Sequence, residues 1–343
     1  DCDCPKIIVD DTQEAFLAMA SWYRQLFPIF VVGLTGSVGK TTTKELTAAV
    51  LGRRYGDKLL YTQGNLNNQL GVPLTLLQLT RQHEMAIVEM GASHPGDIRE
   101  LVDIAEPNYG LITNVGRAHL QGFGSFEGVQ QTKRELYDYI AQHGGIIFRN
   151  EDNAFLHRMA ADAAISSDRT VLYRTGTMLP DTHLVGEYNS ENVQAAICVG
   201  EYFGVGRQAA EQAIRDYVPT NNRSQLVRTA HNTLVVDAYN ANPTSMTAAI
   251  QAFRGDAYIL GGMRELGDYS HLEHQNIANM LLERRAENVI LVGDEWLTTT
   301  APYPILHDVV ALQQYLAEHP ISGMHVLVKG SRSNALERIV EHL

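Results

Sequence analysis

An apolar run over residues 29–36, IFVVGLTG, breaks into a glycine-rich turn and passes at once into good helix formers from Lys40 to Leu51, ending at Gly52. The order of buried strand, glycine turn and helix predicts part of an α/β layer, because a continuously apolar strand needs cover on both faces. Backbone amides in such a turn, aimed by a helix N-terminus, form a cradle for phosphate oxygens. Gly36 and Gly39 let the chain approach the phosphates without a Cβ clash, Lys40 adds a mobile cation, and Thr41 offers a hydroxyl to Mg²⁺. The stretch Thr35-Gly36-Ser37-Val38-Gly39-Lys40-Thr41-Thr42 is therefore expected to bind a nucleoside triphosphate. It departs by one place from the pattern G-x-x-x-x-G-K-[ST]: Leu34 stands where that pattern needs glycine, and the glycine is Gly33.

Strand and helix patterns alternate along the rest of the chain. Residues 12–27 read as an amphipathic helix ended by Pro28, and apolar runs at 85–90, 109–115 and 145–148 read as parallel strands covered on both faces. A helical pattern ends at Pro219, the polar stretch PTNNRSQ comes next, and apolar runs at 233–237, 257–261, 288–292 and 325–328 then alternate with helical patterns at 244–253, 271–286, 308–318 and 333–342. The fold class expected is α/β: a central P-loop NTPase-like domain with a parallel sheet at 29–219, then a smaller Rossmann-like domain with a second parallel sheet at 220–343.

Charge narrows the partners. Across 343 residues, 27 Lys and Arg against 39 Asp and Glu give 27 − 39 = −12, which lacks the broad basic footprint of a nucleic-acid binder. No apolar run approaches the roughly 18 residues that span a bilayer, and no basic segment with an apolar core opens the chain, so a cytoplasmic location without membrane insertion is expected. Cys2 and Cys4 have no partner pair at zinc-site spacing and read as incidental, and Cys198 falls in an apolar helical pattern. The three cysteines fit a reducing compartment.

The phosphate-loop variant TGSxGKTT resembles the ATP-dependent Mur ligases of peptidoglycan synthesis and their folylpolyglutamate synthetase relatives. The segments GNLNNQLGVPLTLL at 64–77, VEMGASHPGDI at 88–98, TNVGRAHLQGFGS at 113–125, GEYNSENVQAA at 186–196, VDAYNANPTSM at 236–246 and VKGSRSNALERIV at 328–340 narrow the resemblance to the MurF branch. It runs from about residue 8 to the end, in family order.

Glu89 ends an apolar run at the sheet edge where ligands sit, and the resemblance assigns it, with Thr41, to a magnesium beside the ATP phosphates. His119 lies in a glycine-flanked loop after another strand. Taken alone it reads as a structural histidine, and the resemblance makes it a ligand of a second magnesium. Lys133, alone a solvated helix lysine, matches a family lysine in a K-x-E context with Glu135 that is carbamylated and helps place that second ion. Asn189 and Asn192 can present amides on one helix face, for adenine by resemblance or for helix capping by Asn189.

Arg223 resembles the arginine that reaches the γ-phosphate on domain closure, with a solvated linker residue as the alternative. Asp237 resembles the family's ribose-contacting carboxylate, with Tyr239 and Asn240 beside the nucleotide. Gly262 stands where the family's GDMxELG segment commonly has aspartate. Lys329, Ser331 and Arg332 are expected at acceptor or interdomain contacts, and the pair His271 and His274 invites a zinc reading that lacks a third ligand.

The resemblance implies an ADP-forming ligase that uses ATP and two Mg²⁺ ions, catalysed through Lys40, Lys133, His119 and Arg223, with UDP-N-acetylmuramoyl-tripeptide and D-alanyl-D-alanine as substrates and a monomeric state. It also implies that residues 1–28 are a linker helix and the remnant of a UDP-binding N-terminal domain, and that the stretch between Arg174 and Leu184 is short for the family. The rival readings are a related ligase with another acceptor and a non-catalytic nucleotide-binding protein.

Overall fold

The computed structural model describes residues 6–176, 179, 181–186, 189–219 and 223–343. Cys2 and Cys4 lie outside the described residues. The first sheet contains β1 (Phe30–Thr35), β2 (Leu59–Tyr61), β3 (Met85–Glu89), β4 (Tyr109–Ile112), β5 (Ile146–Asn150) and β6 (Thr170–Tyr173), all parallel, in the order β2-β3-β1-β4-β5-β6. Its helices are α1 (Thr12–Gln25), α2 (Lys40–Tyr55), α3 (Gly71–Leu76), α4 (Asp97–Ala105), α5 (Leu120–Phe123), α6 (Phe126–Gln142), α7 (Ala154–Asp162), α8 (Asn189–Tyr202) and α9 (Arg207–Asp216). The second sheet, β11-β10-β9-β12-β8-β7, contains β7 (Gln225–Arg228), β8 (Thr233–Asp237), β9 (Ala257–Gly261), β10 (Asn288–Val292), β11 (Ile305–Leu306) and β12 (His325–Lys329). With it go α10 (Pro243–Ala252), α11 (Ser270–Glu283) and α12 (Val309–Glu318).

Strand alternation divides the core of the first unit. Val31, Val88, Ile112 and Ile147 face α4 and α6, where Leu101, Val129 and Leu136 bury against them. Val32, Leu34, Ile87, Leu111 and Phe148 face the other way, onto Leu46 and Val50 of α2, Val193 and Ile197 of α8 and Ile214 of α9. Each such side chain contributes roughly 1.5–3 kcal/mol on leaving water. The first layer continues through Ala241, Met246 and Leu266 into the second unit, so the two sheets share apolar packing. Among the described residues, no helix is long and apolar enough to cross a membrane.

Four local expectations are corrected. Helix α2 runs through Gly52 and stops one turn later at Gly56, whose φ of 51° supplies the left-handed exit that Gly52 does not. The short edge strands β2 and β6 lay below the length at which an apolar run stands out. The second sheet is mixed: β7 is antiparallel to β8, because the tight turn at Thr229–Asn232 can join only antiparallel neighbours. The expected helix over 333–342 is two 3₁₀ segments, Arg332–Asn334 and Leu336–His342, divided by Ala335 at φ 50°. A three-residue turn stacks Leu336 over Ile339, and both are fully buried.

Candidate functional site

The C-terminal strand ends of the two units face one another across a cleft of about 690 Å³. On one wall lie Ser37–Thr42, Asn67, Glu89 and His119, and on the other Arg223, Asp237, Tyr239, Lys329 and Arg332. Strand ends collect loops and helix N-termini there because every crossover of a parallel layer begins at that edge.

The phosphate loop is held from below by β4 and the two residues just past its end. The Ser37 amide donates to Asn114 O (3.0 Å) and the Val38 amide to Asn114 Oδ1 (2.9 Å), while Thr113 Oγ1 donates to Val38 O (2.7 Å). Gly36 and Gly39 have φ of 148° and 83°. A Cβ on Gly36 would lie 2.0 Å from Thr113 Oγ1, and one on Gly39 would lie 2.4 Å from Asn192 Oδ1. No side chain caps α2 at Gly39, so its first-turn amides are left for a ligand. Lys40 Nζ donates to Gly36 O (2.8 Å), folded back over the loop. Burial holds its ammonium below the ordinary value, Glu89 opposes that shift and Arg223 adds to it. Thr35 and Gly36 lie beneath the loop rather than on the cleft wall, and the Thr35 hydroxyl donates to Met90 O (2.7 Å).

Glu89 is fully buried and its oxygens are unequally served. Oε1 accepts from Thr41 Oγ1 (3.1 Å) and Asn67 Nδ2 (2.7 Å), whereas Oε2 is buried with no partner. An orphaned carboxylate oxygen beside a threonine hydroxyl and free helix amides fits a hard divalent cation carried by a polyphosphate. Buried Lys44 donates to Thr62 O (2.6 Å) and Gly64 O (3.4 Å), which holds the segment carrying Asn67 above this spot.

Lys133 is 2% exposed and makes no hydrogen bond or ion pair among the described residues; its Nζ lies 5.7 Å from the centre of the Phe123 ring. Burial holds its amine well below the ordinary value, the Lys40 charge adds to this, and Asp97 and Glu135 oppose it. Glu135 turns to α4, accepting from the Gly96 amide (3.0 Å) and the Arg99 amide (2.8 Å). His119 bonds through Nδ1 to the Glu265 carboxylate of the second unit. Among the described residues, no three His, Cys, Asp or Glu side chains gather as a metal cluster.

Asn189 and Asn192 are brought to the phosphate loop. Asn189 Nδ2 donates to Val185 O (2.8 Å), Asn192 Nδ2 to Asn189 Oδ1 (2.9 Å), and Thr43 Oγ1 to Asn192 Oδ1 (2.9 Å). Arg223 lies 3.8 Å from the centre of the Tyr239 ring, and Arg332 approaches the same ring at 5.8 Å. Asp237 is paired with Lys329, which also donates to Asn240 O (3.3 Å). Ser331 Oγ donates to Gly262 O (2.8 Å), below the cleft surface.

The space beside Gly262 is filled by Glu295: a Cβ on Gly262 would lie 2.4 Å from Glu295 Oε2. Glu295 Oε1 pairs with Arg264 (2.7 Å). His274 uses both ring nitrogens inside the fold, Nε2 accepting from the Met263 amide (3.0 Å) and Nδ1 bonding Ser270 O (2.7 Å). Sequence reasoning gave no role to Asn67 or Glu265. The signals were three asparagines within Asn65–Asn68, and a carboxylate just past the end of a buried strand.

This geometry is that of a two-unit, nucleotide-dependent enzyme with its cleft between the units. Residues 34–177 match the Mur ligase middle domain, and residues 222–342 match the Mur ligase glutamate ligase domain. The UDP-N-acetylmuramoyl-tripeptide--D-alanyl-D-alanine ligase of Escherichia coli (strain K12) is 33% identical over 385 residues, covering 100% of this chain and 83% of the relative. The crystal structure of MurF from Acinetobacter baumannii superposes with a TM-score of 0.85 at 29% identity, over 99% of this chain and 82% of that one. MurF from Thermotoga maritima in complex with ADP superposes with a TM-score of 0.84 at 25% identity, over 100% of this chain and 86% of that one. The chain belongs to the Mur ligase family and, within it, to the MurF type.

Proposed function

We propose that this protein joins D-alanyl-D-alanine to UDP-N-acetylmuramoyl-tripeptide in an ATP-dependent, ADP-forming ligation that supplies a peptidoglycan precursor. The observation that carries the reading is the uncapped start of α2 at Gly39 together with the unpartnered Oε2 of Glu89, two residues that line the same cleft. The names of the relatives supply the substrates.

Forming an amide from a carboxylate and an amine in water is uphill, so the acid must first be activated. The terminal carboxylate of the tripeptide attacks the γ-phosphorus, the bond to the β-phosphate oxygen breaks, and ADP leaves an acyl phosphate behind. The amine of D-alanyl-D-alanine attacks the acyl carbon, loses a proton, and inorganic phosphate departs from the tetrahedral centre. The first-turn amides of α2 hold the phosphates and Lys40 swings from Gly36 O to the transferred group, while Arg223 approaches from the second unit; all three act by fixed charge and position.

Thr41 and Glu89 would hold one Mg²⁺ ion, and His119 with carbamylated Lys133 a second. Bound magnesium would neutralise charge on the phosphates. Burial of Lys133 disfavours its charged form, which favours the free lone pair that addition to carbon dioxide requires. Asn189, Asn192, Asp237 and Tyr239 would line the nucleoside end, and closure would exclude water from the acyl phosphate.

ADP release measured with UDP-tripeptide and D-alanyl-D-alanine, against a panel of other acids and acceptors, tests the reading. Turnover should require this pair, and Lys40→Ala should lower it by about 10²-fold or more. Absence of Mg²⁺-dependent nucleotide binding in calorimetry overturns it.

A further inference from the structure

Two residues with strained backbones meet across the cleft. His119, at φ 53°, starts α5, and Glu265, at φ 60°, lies between β9 and α11. A left-handed conformation costs a non-glycine residue of order 1–3 kcal/mol and persists only where the surroundings enforce it.

The surroundings here come from the opposite unit. The Glu265 carboxylate bonds His119 Nδ1, and the Gln121 amide donates to Glu265 O (3.2 Å), so side chain and backbone of one residue grip both ends of the same turn. Beside them the Arg117 amide donates to Thr244 Oγ1 (2.8 Å), and the Arg117 guanidinium pairs with buried Glu273 (2.6 Å). His119 Nε2 makes no hydrogen bond among the described residues, and the residue lines the cleft.

We propose that Glu265 is a positioning residue, which on closure of the two units fixes His119 in the tautomer that carries its proton on Nδ1 and leaves the Nε2 lone pair for the cleft. An ionised carboxylate only accepts hydrogen bonds, so the nitrogen facing it must be the protonated one. Where a histidine binds a metal through one nitrogen, a carboxylate on the other sets its tautomer and orientation. Glu265 belongs to the second unit and His119 to the first, so the ring is set only when the units are together. The assignment of His119 to a divalent cation rests on the proposed function; its tautomer does not.

The test uses the whole chain with ¹⁵N-labelled histidine, reading tautomers from long-range ¹H–¹⁵N spectra, with His119→Ala assigning the signal. The parent should show one Nδ1–H tautomer at His119. Glu265→Gln, whose amide oxygen still accepts, should keep it, and Glu265→Ala should shift it toward Nε2–H. In calorimetry with a non-hydrolysable ATP analogue, Glu265→Ala should bind Mn²⁺ about 10–100-fold more weakly, with Glu265→Gln close to the parent. An unchanged tautomer in Glu265→Ala overturns the proposal. Should that variant fail to fold, Glu265→Asp, one methylene too short, reads the same signal with the same two outcomes. Failure of the parent to bind Mn²⁺ would count against the proposed function and leave the tautomer result standing.

Discussion

Lys329 Nζ lies 2.5 Å from Asp237 Oδ2, on neighbouring parallel strands whose register pairs these two residues. Lys329 is 1% exposed, and its second bond, to Asn240 O, fixes the turn that carries Tyr239 beneath Arg223. The ion pair thus shapes the second wall of the cleft.

Removing only the acid should be costly. Asp237→Ala strands a buried ammonium, and unfolding by urea should show a loss of about 3–5 kcal/mol. Lys329→Met, which leaves a more accessible carboxylate behind, should lose less. Equal losses in the two variants would contradict the account.

The phosphate loop has no room at Gly39. Gly39→Ala adds a methyl 2.4 Å from Asn192 Oδ1 at a φ of 83°. The left-handed backbone alone costs about 1–2 kcal/mol. A thermal melt should show that loss, and calorimetry should show ATP binding reduced more than tenfold; an unaltered affinity would mean that the loop does not hold phosphate.

Burial depresses the Lys133 amine, and this has a signed consequence for stability. The unfolded residue titrates near its ordinary value of about 10.4. Between the lower folded value and that point the unfolded chain holds one more proton, so stability rises with pH, by at most about 1.4 kcal/mol per pH unit. In carbonate-free buffer the parent should gain stability as the pH rises toward that ordinary value. Lys133→Met should lack it, be the more stable protein at pH 7, and have lost turnover. Lys133→Ala should recover part of its turnover with short carboxylic acids.

Placing an aspartate at position 262 should harm this protein. Gly262→Asp drives its Cβ into the Glu295 carboxylate, and overpacking of this kind costs about 1–3 kcal/mol. Glu295→Ser should relieve much of the cost. A double-mutant cycle on urea midpoints measures the coupling, and additive effects would show that the two residues do not compete for space.

Periodicity carried most of the fold. The continuous apolar runs of β1, β3, β8, β9, β10 and β12 stood out because strands buried on both faces need no polar residues. Edge strands β2 and β6 lacked that signal. Glu89 and the phosphate loop were legible because a strand end or a strand-turn-helix boundary is a local event. The environments of His119 and Lys133 were not, since one depends on Glu265 from the other unit and the other on burial within the packed layers.

The chain's own order of residues determined the α/β layers, the phosphate-binding turn and the likeness to a ligase family, because helix, strand and glycine turn are set by neighbours within a few positions. Only the tertiary structure decided that Glu295 fills the space beside Gly262, that Asn192 closes over Gly39, and that Glu265 grips His119. These contacts join residues 33, 153 and 146 positions apart (295 − 262, 192 − 39, 265 − 119). At such separations no local periodicity relates two side chains, and their meeting is fixed by strand order and by the packing of one unit against the other.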